Sequence, residues 1–152
     1  MLNILKSGVN PLLVYVKLAS YLPCIMSSSQ EDAEKLLADS ISGDVGTVTS
    51  LLQQGVSVLS KQRNGNTGLH LSARQGHDDI VKLFLDYETS VNIRGAGTYT
   101  PLMQAAECGH VGTTRLLIDN EADLELRNSD GKTALCSASG DFPDVVSELL
   151  TR

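Results

Sequence analysis

Short apolar stretches alternate with polar, glycine-containing turns along most of the chain, and the alternation repeats every 33 residues. Each period opens at a turn, continues with a stripe of Leu and Ala, breaks at a second turn, and ends with another apolar stretch. The apolar positions within both stretches follow i, i+3, i+4 spacing, which predicts two short amphipathic helices per period. A fixed period of this length predicts stacked units that share a core with their neighbours.

Three copies of the pattern align without gaps, and the residues that recur have identifiable physical roles. A threonine stands at the start of each first helix, where its hydroxyl can cap free backbone N–H groups: Thr67, Thr100 and Thr133. Gly65 and Gly131 suit a turn with positive φ. Pro101 falls at the first helical position, where its missing N–H costs nothing. The apolar stripe of the first helices comprises Leu69, Ala73, Leu102, Ala105, Ala106, Leu135 and Ala138.

The central segments read TGLHLSA at 67–73, TPLMQAA at 100–106 and TALCSA at 133–138. They resemble the T-P-L-H-x-A motif of the ankyrin repeat. The resemblance implies an all-α solenoid of about four stacked helix-turn-helix units with short β-hairpin-like loops. It also implies that the motif histidine, His70, forms hydrogen bonds within and between units. Met103 and Cys136 occupy the same position later, where this polar bridge is expected to be lost.

The predicted array covers residues 31–152, divided into units at 31–63, 64–96, 97–129 and 130–152. The first unit is a degenerate capping repeat, because Glu34 stands where the motif threonine is expected. Its first helix, 31–41, has an apolar side formed by Ala33, Leu36, Leu37 and either Ser40 or Ile41. The fourth unit is truncated, and Asp141 to Asp144 replace the Gly-His turn that ends the other first helices.

The second helices of the middle units end without the glycine that is usual there. Glu88 and Glu121 stand at the position expected to take the left-handed conformation, which costs a non-glycine residue about 1 kcal/mol. Fraying of these helix ends is therefore expected. Asn120 is the alternative residue for that conformation in the third unit.

Residues 1–30 lie outside the array and contain Lys6 and Lys17 but no acidic residue. Their apolar run is too short to span a bilayer. A signal peptide at 1–25, an organelle presequence and translation from Met26 are the three interpretations, and the sequence favours Met26. The protein is then expected in the cytoplasm, with the nucleus as a further possible location.

The formal net charge is -6, and all 18 acidic residues lie in 31–152. This balance argues against a nucleic-acid ligand, which favours a basic face. Cys24, Cys108 and Cys136 have no disulfide or metal-ligand spacing, and they are expected to be free thiols in a reducing compartment.

No pattern of catalytic or cofactor-binding residues is recognisable. His70, His77 and His110 follow the repeat and have no ligand spacing of their own, so we expect structural roles and no metal. Phosphate-binding, dinucleotide-binding and nucleophile motifs are absent from the sequence. The chain is therefore expected to be neither an enzyme nor a cofactor-binding protein.

The resemblance implies that a partner binds to residues that vary between units, at the hairpin tips and on the exposed side of each first helix. The candidate partner-binding residues are Lys61, Arg63, Asn66, Leu71, Arg74, Gln75, Arg94, Tyr99, Gln104, Glu107, Cys108, Arg127, Lys132 and Ser137. Tyr99 is placed at the centre of the groove because an exposed aromatic residue is a frequent anchor in protein interfaces. The basic tips favour an acidic or extended segment, although the simpler interpretation is that they are only solvated.

The resulting functional hypothesis is a monomeric, non-catalytic protein–protein interaction module, either scaffold or adaptor. One alternative is the ankyrin portion of a larger enzyme, channel or ubiquitin-ligase substrate receptor. Another is a small ankyrin-type inhibitor that occludes a target enzyme.

Overall fold

Four pairs of antiparallel helices follow one another in the computed structural model, which describes residues 30–138 and 142–151. Their bounds are α1 Gln30–Ser42, α2 Val45–Gln53, α3 Gly68–Gln75, α4 Asp78–Asp86, α5 Pro101–Glu107, α6 Val111–Asp119, α7 Ala134–Ala138 and α8 Pro143–Leu150. The predicted all-α stack of helix pairs is confirmed. The interpretations of residues 1–29, and the predicted turn at Asp141, lie outside the described residues.

The helices form two layers. The first helices α1, α3, α5 and α7 pack side by side, and the second helices α2, α4, α6 and α8 form a parallel row behind them. The loops at 61–67, 94–100 and 127–133 precede α3, α5 and α7 and connect consecutive units. Within the described residues, the only isolated backbone bridge joins Lys61 to Thr67, so these loops are short hairpins without a continuous sheet.

The core lies between the layers and is built from the positions that repeat. Leu69 and Leu102 are 0% and 1% exposed, whereas Leu135 is half-buried. The difference follows from position: α3 and α5 have a first helix on each side, whereas among the described residues α7 packs against only α5 in that layer. Neighbouring units therefore bury each other's leucines, as the repeat predicts.

The first unit shows which of the two predicted residues turns inward. Ser40 is fully buried and its hydroxyl donates to the carbonyl of Leu36 at 2.7 Å, while Ile41 is 38% exposed. α1 already runs through residues 31–34, and the residues 33 positions later, 64–67, form a turn. A helical turn therefore replaces the hairpin in this unit.

The ends of the second helices differ in one respect from the prediction. Glu88 and Glu121 have φ values of +58° and +64°, so both occupy the left-handed conformation as expected. Asn120 has φ of -98°, and the suggestion that it takes over this conformation is wrong. Its side-chain Nδ2 instead donates to the carbonyl of Leu116 at 2.8 Å, while Glu121 makes the turn.

In the first three units, an aromatic ring from the next unit covers the glycine after the first helix. His77 lies over Gly43, and its Nε2 is 2.9 Å from the carbonyl oxygen of Ile41. His110 lies in the same way over Gly76, and Phe142 lies over Gly109. Each ring excludes a side chain at the glycine, because a Cβ on Gly76 would lie 2.6 Å from His110 Nδ1.

Candidate protein-interaction surface

The hairpin tips bring three basic side chains to one edge of the stack. Lys61, Arg94 and Arg127 occupy the same position in successive units, and all three are exposed. Arg94 Nη1 donates to the carbonyl of Arg127 at 3.1 Å, and Arg127 Nη1 donates to the carbonyl of Gly131 at 3.0 Å. The first bond joins adjacent tips, and the second lies within the hairpin at 127–133. In the part of the chain that the structure describes, none of the three forms an ion pair.

Most of the candidate residues selected from the sequence lie at the surface. The exposed ones are Lys61, Arg63, Arg74, Gln75, Arg94, Glu107, Arg127 and Lys132. Cys108 and Ser137 are half-buried. The exposed candidates on α3 and α5, Arg74, Gln75 and Glu107, lie at the C-terminal ends of these helices.

Three of the candidates are buried, and their assignment to an exposed surface is wrong. Asn66, Leu71 and Gln104 are 4%, 6% and 7% exposed. Asn66 has a structural role, because its Oδ1 accepts the N–H of Ala96 in the next hairpin at 2.9 Å. Leu71 and Gln104 lie on α3 and α5, the two helices with packed neighbours on both sides, and this packing removes them from solvent.

Tyr99 is half-buried and does not stand free on a finger, which corrects the expectation from the sequence. Its ring packs against the core and lies beside Gly97. Its carbonyl oxygen accepts from the backbone N–H of Gly95 at 2.9 Å. Tyr99 therefore contributes to the structure of the hairpin and offers only part of its ring to a partner.

His70 has the structural role that the motif implies. Its Nδ1 lies 3.3 Å from the backbone nitrogen of Thr67 and 2.9 Å from the Thr67 hydroxyl, and its Nε2 lies 3.0 Å from the carbonyl oxygen of Tyr99. Since Nδ1 accepts the Thr67 N–H, Nε2 carries the proton and donates to Tyr99. Burial lowers the pKa of His70 below its usual value of 6.5, so the ring is neutral at neutral pH. Met103, 1% exposed, fills the same position in the next unit with an apolar side chain.

A groove that the sequence did not reveal lies between α1 and the first hairpin. Its volume is about 580 Å³, within the range of about 300–1,000 Å³ that is usual for ligand-binding clefts. The floor is apolar and the hairpin side is basic. Its main lining residues are Ala33, Leu37, Ala38, Ile41, Lys61 and Arg63. The sequence contains one signal for this groove: Ala33 and Leu37 occupy the repeat positions at which Asn66 and His70 stand 33 residues later.

Cys136 is exposed at α7 and differs from the half-buried Cys108. A hydrogen bond from Thr133 is the main cause that lowers the Cys136 pKa, with smaller contributions from Arg127 and Lys132.

Across residues 30–138 and 142–151, no group of three or more His, Cys, Asp or Glu side chains is arranged to hold a metal ion. In the same ranges, every helix is too short or too polar to cross a bilayer.

Comparison with known proteins gives the same family as the repeat motif and the stacked helix pairs. A family model described as ankyrin repeats in three copies matches residues 36–128 and 92–152. The chain is 33% identical over 82 residues to the transient receptor potential cation channel subfamily A member 1 homolog of Caenorhabditis elegans, covering 53% of this chain and 7% of that protein. It is 50% identical over 42 residues to a putative ankyrin repeat protein of Rickettsia bellii (strain RML369-C), covering 28% of this chain and 7% of that protein.

A third relative aligns over more of the chain. Ankyrin repeat domain-containing protein 13C of Xenopus tropicalis is 27% identical over 104 residues, covering 68% of this chain and 20% of that protein. The similarity to these three relatives thus spans a fifth or less of each relative's length.

Proposed function

Because the chain belongs to the ankyrin repeat family, we propose that it is a non-catalytic scaffold or adaptor that binds a partner protein along its hairpin tips. The family supports a protein-interaction module in general. The observation that carries the finer proposal is the row formed by Lys61, Arg94 and Arg127. The three side chains are exposed, aligned on successive units and without an ion pair among the described residues.

The charge of this edge indicates the chemistry of the partner. The chain carries a formal net charge of -6, so a row of cations is a local exception within an acidic molecule. An acidic, extended segment fits it, because such a segment can follow the row from one hairpin to the next. Contacts at exposed charges are screened by salt, so binding should weaken as the ionic strength rises.

Quantitative affinity purification tests this proposal, with the wild-type chain beside Arg94→Glu. Lys82→Glu is the matched control, because Lys82 is an exposed lysine on α4, in the row of second helices. Partners that depend on the basic edge should be retained by Lys82→Glu and depleted by Arg94→Glu. Direct titration with the purified partner should show a loss of about 1 kcal/mol or more for Arg94→Glu.

Tyr99→Ala tests whether the partly exposed ring of Tyr99, in the same hairpin as Arg94, also binds the partner. Its accessible ring fraction should contribute to the same partner, but the variant also removes packing against the core, so its unfolding free energy must be measured in parallel. Equal recovery of every partner by wild type, Arg94→Glu and Tyr99→Ala would refute a binding role for the tips.

A second candidate function is the recognition portion of a larger protein. It is supported by the relatives, since the matched segment is 7% of the cation channel homolog and 20% of protein 13C. Full-length transcript mapping distinguishes the two: an open reading frame that joins these repeats to a channel or enzyme domain would favour the second candidate.

A further inference from the structure

The space between a first helix and the hairpin that follows is closed differently in the first two units. In the second unit, Asn66 in the turn before α3 and His70 on α3 reach the next hairpin, where they bond to Ala96 N and Tyr99 O at 2.9 and 3.0 Å. A Cβ added to Gly95 would clash with Asn66 Oδ1, which shows how closely the hairpin approaches these side chains.

In the first unit, the corresponding residues are Ala33 and Leu37, which are smaller or apolar and cannot form these bonds. The groove of about 580 Å³ lies between α1 and the hairpin at 61–67. Arg63 is the counterpart of Ala96, and Ala33 offers its N–H no acceptor of the kind that Asn66 supplies. The first unit therefore lacks the two side-chain bonds that join the second unit to the hairpin after it.

The two sides of the groove have different chemistry. The helix side presents Ala33, Leu37, Ala38 and Ile41, of which Ile41 is a large hydrophobic residue 38% exposed to solvent. The hairpin side presents Lys61 and Arg63, both exposed and without an ion pair among the described residues.

One carboxylate, Glu34, lies at the rim and already accepts a hydrogen bond from Gln30 at 3.3 Å. The rim therefore has an excess of positive charge beside an apolar floor.

We propose that this groove is the anchoring subsite of the interaction surface, and that it binds an extended acidic segment of the partner protein. In that segment, an apolar side chain packs on Leu37 and Ile41, and adjacent carboxylates pair with Lys61 and Arg63. The proposal rests on the function proposed above, because it adds a binding subsite at the first-unit end of the same row of basic tips. Charge complementarity selects this occupant: residues 1–30 of the chain carry two lysines and no acid, so they do not match a basic rim.

The probe is a displayed library of random peptides of about twelve residues, long enough to lie extended across more than one unit. Selection against the wild-type full chain should enrich peptides with Asp or Glu next to Leu, Ile or Phe. A fluorescein-labelled selected peptide is then titrated in an anisotropy assay. Ile41→Glu and the double variant Lys61→Glu/Arg63→Glu should each raise its Kd by about tenfold or more.

Matched controls separate the groove from general surface effects. Leu59→Glu changes an apolar residue that is 53% exposed and does not line the groove. Lys82→Glu makes the same charge change in the other helix layer. Both should leave the Kd within about twofold, since neither touches the groove. Urea unfolding of every variant verifies that the fold is retained.

A photo-reactive benzoylphenylalanine in place of Ala38 identifies the occupant by mass spectrometry, and a cross-link to the selected peptide is expected. A cross-link to residues 1–29 or to a second copy of the chain would assign the groove to another occupant and overturn the proposal. A selection that yields no binders, or binders without acidic residues, would do the same. Selected peptides that lose affinity to Arg94→Glu but not to Ile41→Glu or the double variant would refute the anchoring subsite and leave the proposed function intact.

Discussion

His70→Met is the substitution that best tests how adjacent units are joined. The chain supplies its own reference for the variant, because Met103 occupies the equivalent position in the next unit and is 1% exposed there. Methionine should therefore fit the space without a cavity. What the variant loses is the pair of polar contacts, to Thr67 at Nδ1 and to the Tyr99 carbonyl at Nε2.

The expected cost follows from the groups that remain. The Tyr99 carbonyl still accepts the N–H of Gly95 at 2.9 Å, so it is not left without a donor. The backbone N–H of Thr67 does lose its acceptor, and a buried donor without a partner costs about 1–3 kcal/mol. We therefore expect His70→Met to lower the free energy of unfolding by about 2 kcal/mol at about pH 8.

The same variant should change the pH dependence of stability. The pKa of His70 is lowered in the folded protein, so the unfolded chain takes up the proton first as the pH falls through about 6.5. This contribution to stability is complete above the unfolded pKa, and it is lost as the pH falls from about 6.5 towards the folded pKa. The slope is at most about 1.36 kcal/mol per pH unit for one proton. The variant lacks this term, so its disadvantage should shrink in acid.

Urea unfolding followed by circular dichroism at several pH values between about 8 and 5 measures both effects. Subtracting the variant from the wild type removes the contributions of the other titrating groups. A variant within about 0.5 kcal/mol of wild type at pH 8, or a difference between the two proteins that does not change with pH, would refute the assigned role of His70.

Two further predictions concern packing and backbone conformation. Leu102→Ala should lower the free energy of unfolding by about 2–5 kcal/mol, because this leucine is 1% exposed in the core. Leu59→Ala, at a site that is 53% exposed, should lower it by less than about 0.5 kcal/mol. Similar losses for the two variants in urea unfolding would contradict the described core. Gly55→Ala should lower the free energy of unfolding by only the strain of about 1 kcal/mol that a φ of +92° imposes on alanine. Gly76→Ala should lower it further, because the added Cβ would also meet the His110 ring. Equal melting temperatures for the two variants would show that the ring moves aside without cost.

The period of 33 residues was sufficient to predict the fold. Repeated leucines such as Leu69 and Leu102 have the same environment in every inner unit, so one interpretation applies to all of them. The prediction was less exact where a unit differs from its neighbours. Leu135 is only half-buried because its helix lies last in the described stack. Of the two residues considered for the left-handed conformation in the third unit, Glu121 adopts it and the alternative, Asn120, does not.

The candidate site was harder to predict, since exposure depends on what the adjacent unit places opposite each residue. Asn66 precedes a helix in a turn, where an asparagine is ordinarily solvated, yet it is 4% exposed because the next hairpin descends onto it. The groove beside α1 was missed for the converse reason. Ala33 and Leu37 fit a helix stripe so well that the consequence of their size for the opposite hairpin was not apparent.

The rings that cover the glycines differ from one joint to the next, and this difference affects how the solenoid responds to force. Two joints are fastened by a histidine that both covers a glycine and bonds a carbonyl, as His77 does at Ile41 and His110 at Arg74. At the last joint the apolar ring of Phe142 covers Gly109, and Arg115 on α6 forms an ion pair with Glu148 on α8 at 3.0 Å. The joints are thus held by different means: two combine a ring with a hydrogen bond to a carbonyl, and the last combines an apolar ring with an ion pair.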